Sequence, residues 1–205
     1  MRMLLPVALT LGLLASQQTP PPTPQTPPGK HATTVSPKKS ENPSDENAAI
    51  IKDFVKRVDD YVALHKKLEA TLPALPKQTD PAVIDQHERA LAKLIQDGRQ
   101  GAKQGDLFAP PMQRLVRKLL VPVFSGRNGA HVRDEIMDNE SKAAVTLTPN
   151  ARYPDIIPVS TVPPQVLQHL PKLPEEMEYR FVRQNLILFD PHAHIIPDWV
   201  PQAFK

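Results

Sequence analysis

The stretch EYRFVRQNLILFDPHAHIIPDWV, Glu178 to Val200, decides the fold. Its first five residues alternate, with Tyr179 and Phe181 on the face opposite Arg180, and Leu186 to Phe189 is a short unbroken apolar run. Arg183-Gln184-Asn185 separates the two as a polar turn, so the pattern predicts a β-hairpin. His194 to Trp199 predicts a third strand. Pro197, which has no N–H to give a ladder, places that strand at a sheet edge.

Upstream of the hairpin the chain is rich in proline. Ten of the 25 prolines fall between Ala144 and Lys205, with 5 basic and 6 acidic residues. One strand is expected at Ala144 to Thr148, and Val162-Pro163-Pro164 opens a short helix to His169. From Glu46 to Ala143 the chain is different: 16 basic and 14 acidic residues recur in helical periodicity. A first helix is predicted from Glu46 to Thr71, capped by Ser44 or Asp45, with a stripe of Ile51, Val55, Val58, Val62, His65, Leu68 and Leu72. A second starts at Thr79-Asp80-Pro81, carries Ile84, His87, Leu91, Leu94 and Gly98 and closes at Gly105. A third starts at Pro110-Pro111 and ends at Gly126, and a shorter fourth covers Ala130 to Asn139. The expected fold class is α+β: an N-terminal helical half of three to four helices, packed with a small C-terminal antiparallel hairpin or meander.

The front of the chain is a separate material. Arg2 and the apolar run Met3 to Leu14, followed by Ala15 and Ser16, read as a signal peptide over 1–15. That run is too short to cross the ~30 Å hydrocarbon core, so no transmembrane span is expected once the signal is removed. Gln17 to Asp45 holds eight prolines and one large apolar residue, Val35. Such a segment cannot bury enough surface to offset the entropy of ordering, and 16–45 is expected to be a disordered linker. A single domain over 46–205 remains. The chain has no cysteine, which excludes disulfide scaffolds and thiolate metal sites and suits an oxidising compartment. A net charge of +3 and 5% aromatics are too little for a nucleic-acid surface. Neither a G-x-S-x-G elbow nor a phosphate-binding glycine loop is present.

Two groups of residues could carry chemistry. Asp190-Pro191-His192-Ala193-His194 ends a strand with D-x-H-x-H, which resembles the opening motif of the metal-dependent amidohydrolases. On an extended strand His192 and His194 share a face, and zinc bound there could add Asp190 or Asp198. That superfamily uses a (β/α)₈ barrel of ~250 residues, and this chain shows no strand–helix repeats. The opposing reading makes these residues a solvated turn. The second group is His65 and His87, at the same level on consecutive helices, with Glu69 one turn from His65 and Glu88 beside His87. They form a polar pair between helices, or a ligand- or pH-responsive one.

Four further segments are distinctive: Leu170 to Val182, Tyr61-Val62-Ala63-Leu64-His65, Gly105-Asp106-Leu107-Phe108 and Leu186 to Asp190. Together they resemble a family of exported, signal-peptide-bearing bacterial proteins with no assigned function, over most of Glu46 to Val200. The resemblance implies export and one compact domain, and it carries no catalytic residue. In that family the chain after the hairpin is a plain apolar strand. The expected protein is therefore periplasmic or extracellular, with no cofactor. It would be a non-catalytic binding or structural module of the cell envelope, for an envelope protein or ligand, with the hairpin edge and the groove beside the helices exposed. The alternative is a zinc-binding protein or metal-dependent hydrolase using Asp190, His192, His194 and Asp198.

Overall fold

The computed structural model describes residues 43–76, 80–138 and 145–204. The expected signal segment, and all but the last three residues of the expected linker, lie outside them. The chain has the α+β fold: helices α1 (Pro43–Glu69), α2 (Pro81–Gly98), α3 (Pro110–Ser125) and α4 (Gly129–Asp138) precede an antiparallel sheet of β1 (Ala151–Arg152), β2 (Glu178–Val182), β3 (Asn185–Asp190) and β4 (Ile195–Val200). A one-turn helix, α5 (Pro164–Leu167), lies between β1 and β2. Among the described residues no helix is long and apolar enough to cross a membrane.

Helix α1 begins three residues earlier than expected. Pro43 takes the first position, where a missing N–H costs nothing. Asp45 and Glu46 in the first turn and Lys66 and Lys67 in the last complement the helix dipole. The buried face is Phe54, Val58, Tyr61, Val62 and His65. Helix α2 is capped by Asp80, whose carboxylate accepts the Ala82 N–H at 2.8 Å. It stops at Gly98, short of the expected Gly105, because Gly98 and Gly101 weaken its last turns. Helix α3 buries Met112, Leu115, Val116, Leu120 and Phe124.

The α3–α4 corner depends on a glycine. A Cβ at Gly129 would lie 2.0 Å from the Phe124 carbonyl oxygen, a backbone atom that cannot swing aside. Gly129→Ala should therefore cost about 1–3 kcal/mol in urea unfolding, the usual range for overpacking. At Gly101 an added Cβ meets nothing within 4 Å. Gly101→Ala is the control, and an equal loss there would refute the steric explanation.

Strand order is β1-β4-β3-β2. Strand β3 is buried on both faces, which explains its unbroken apolar run. Leu186 and Leu188 join the core shared with the helices, while Ile187 and Phe189 pack with Tyr153, Ile157 and Ile196 on the other side. Two expectations are corrected. Val145 to Thr148 form no strand, and the pairing segment is Ala151–Arg152, after the turn at Asn150, where φ is 60°. Strand β4 is interior, not an edge: β1 pairs with Ile195 and Ile196 on one side and β3 pairs on the other. Pro197 is tolerated because the β3–β4 register shifts between Leu188 and Asp190. There Ile196 and Pro197 stand opposite Phe189 alone, and such a bulge leaves a residue out of the ladder.

Candidate functional site

Helix α1 sets Tyr61, His65 and Glu69 at four-residue steps, which stacks them on one face. Strand β3 ends at Asp190, and the turn 191–194 folds back over that face. Asp190 Oδ2 accepts the Tyr61 hydroxyl at 2.6 Å and lies 2.7 Å from His65 Nδ1. Its Oδ1 accepts the backbone N–H groups of His192 and Ala193, each at 3.0 Å. One buried carboxylate thus forms the β3–β4 turn and fastens it to α1. The carboxylate can only accept, so His65 donates from Nδ1, and in the neutral ring Nε2 is left bare.

That Nε2 faces Glu69. It is buried and makes no hydrogen bond, and Glu69 Oε2 stands 3.3 Å away. The other oxygen of Glu69 is 3.2 Å from His192 Nδ1 and 3.8 Å from His87 Nε2 on α2. The His65 and His192 rings lie 5.4 Å apart, tilted by 59°. Burial alone pushes the His65 imidazole down, but the hydrogen bond and charge of Asp190, then Glu69, hold it above its ordinary value. The Tyr61 phenol is pushed well up, first by burial and then by the charge of Asp190. An imidazole between two carboxylates attracts positive charge: a proton, or a cation that accepts the Nε2 lone pair.

The two expected groups therefore meet, but not as drawn. His65, His87, Asp190 and His192 converge, with Glu69 as the shared partner. His194 and Asp198 do not. The turn ends the strand's alternation, and His194 adopts the left-handed conformation, φ 52°. Its ring packs edge-on against Tyr153 at 5.9 Å and Phe189 at 5.3 Å, on the side of the sheet away from α1. Burial, then the charge of Arg152, lowers its basicity. Asp198 lies on β4, where its carboxylate accepts the N–H groups of Gly105 at 2.9 Å and of Leu107, Phe108 and Trp199 at 2.8 Å each. It organises the α2–α3 loop and is not part of the imidazole cluster. Burial raises its carboxyl above the ordinary range, and the four N–H bonds offset part of that rise. Glu88 turns instead to Arg152, at 3.2 Å.

The role of Tyr61 and the bridging role of Glu69 are the features missed in sequence. Their signal was present as the Tyr61-x-x-x-His65-x-x-x-Glu69 spacing on one helical face. Comparison with family models, with curated proteins and with solved structures finds no match.

Proposed function

We propose that the chain is an exported bacterial protein of the family it resembles, acting in the cell envelope as a non-catalytic binding or structural module. One observation carries the non-catalytic part. Asp190 and Asp198, the acids that a hydrolase built on D-x-H-x-H would need, are both buried and accept four hydrogen bonds each from the fold itself. For holding a partner, a cleft of about 600 Å³ borders β2, lined by Leu167, Leu170, Pro171, Met177 and Tyr179.

Expression of the full chain with a C-terminal epitope, followed by fractionation and N-terminal sequencing, tests export. The expected product is a periplasmic or extracellular chain processed near Ala15 and Ser16. A cytosolic chain retaining Met1 would overturn the assignment. Incubation of the zinc-treated protein with ester, amide and phosphoester substrates tests the rest. Turnover abolished by His192→Ala would make the protein an enzyme.

A further inference from the structure

The imidazole cluster holds an unresolved demand. In the neutral ring His65 Nε2 is a buried acceptor with no donor to fill it. An unpaired buried polar atom costs roughly 1–3 kcal/mol, so native folds satisfy such atoms. Among the described residues no donor reaches Nε2, and its polar neighbour is an oxygen of Glu69. The position calls for something positive from outside.

The spacing fits a metal ion. Around tetrahedral zinc, ligand bonds of ~2.0–2.1 Å place neighbouring donor atoms about 3.3–3.4 Å apart. His65 Nε2 lies 3.3 Å from Glu69 Oε2 and His192 Nδ1 lies 3.2 Å from Glu69 Oε1, so the two oxygens of one carboxylate each face an imidazole nitrogen at close to that spacing. One ligand atom from each of the three residues falls within 4.8 Å of the others. The remaining adjustment falls to His192, whose side chain is 48% exposed. His87 Nε2 lies 3.8 Å from Glu69, outside that group of three, and a turn of its side chain would bring it to the fourth position. Behind the cluster Asp190 holds His65 through Nδ1, the carboxylate–imidazole support that metal-binding histidines use. A cleft of about 400 Å³, lined by Lys66, Glu69, Leu72, Pro73, Leu75 and His87, borders the cluster at Glu69 and His87.

We propose that His65 Nε2, Glu69 and His192 Nδ1 bind one divalent transition-metal cation, with His87 as the fourth ligand and Asp190 positioning His65. Imidazole with a single carboxylate selects zinc, cobalt, nickel or copper over magnesium and calcium, which prefer all-oxygen sites. The assignment differs from the D-x-H-x-H alternative, since it uses α1 and α2 and leaves out His194 and Asp198. It is also separable from export, which fractionation reads and metal binding does not.

The test is titration of the untagged, chelator-stripped full chain with cobalt(II), followed in the visible spectrum. The expected result is saturation at one equivalent with the intense bands of tetrahedral cobalt, displaced by zinc and not by magnesium or calcium. His192→Ala and Glu69→Gln alter residues at the surface end of the cluster. They should keep the wild-type circular dichroism and lose the bands. His87→Ala should weaken binding and shift the bands, and His194→Ala should leave them unchanged. Absence of stoichiometric binding, or wild-type bands in His192→Ala or Glu69→Gln, overturns the site. Loss of bands in a folded His194→Ala moves it to the D-x-H-x-H string and overturns it equally.

Discussion

Asp198→Ala is expected to lower stability by about 3–5 kcal/mol and the melting temperature by roughly 10 °C or more. The carboxylate is fully buried and accepts four backbone N–H groups, three of them from the loop between α2 and α3. Each donor stranded without a partner costs about 1–3 kcal/mol, and only local rearrangement returns part of that. Phe108, carried by this loop, is fully buried and stacks on Phe54 at 5.0 Å, so the loop cannot be hydrated without pulling a core ring from α1. Asp198→Asn keeps one acceptor oxygen but turns an NH₂ toward the remaining donors, and should lose less than alanine does. A loss below about 1 kcal/mol for alanine, the net worth of one ordinary hydrogen bond, would show that the loop holds itself.

Asp190 separates stability from orientation. Asp190→Ala removes the acceptor for the Tyr61 hydroxyl, His65 Nδ1 and two backbone N–H groups. About 3–5 kcal/mol should go with it, as for a broken buried polar pair. Asp190→Asn is expected to cost only about 1–2 kcal/mol, near the net value of a single hydrogen bond. Its amide oxygen can keep the two turn N–H groups while its NH₂ faces Tyr61 and His65. The tyrosine hydroxyl can rotate to accept, and the His65 ring can move its hydrogen from Nδ1 to Nε2, toward Glu69. Nitrogen-15 NMR of the imidazole reads that exchange directly, and the cobalt bands should vanish with it. An unchanged His65 tautomer in a folded Asp190→Asn would refute the account of how the ring is held.

Most of the helical half was legible because its order is local. Caps such as Asp80, proline at first helical positions and three- and four-residue stripes are all read within one segment. The hairpin was legible for the same reason, since the Leu186–Phe189 run has one natural partner nearby. The interior place of β4 was not, because it depends on Ala151 and Arg152, more than forty residues upstream, pairing with it. Nor was the outward turn of His194: alternation was assumed to continue, and nothing in the local sequence announces a left-handed histidine. At the cluster, the one-turn step from His65 to Glu69 followed from helix geometry. The arrival of His192 at Glu69, 123 positions along the chain, required the tertiary fold.

The fastenings between the helices and the sheet span long separations. Tyr61 and His65 reach Asp190 across 129 and 125 residues, and Leu107 reaches Asp198 across 91. Such large loops cost entropy to close before any contact repays it, and folding rates fall as contacts become less local. Helices α1 to α3 can pack on one another early, but the side of their core that meets Leu186 and Leu188 stays uncovered until the sheet segment through Val200 has been synthesised. A nascent chain of this kind locks late, once the segment that joins sheet to helices has been made.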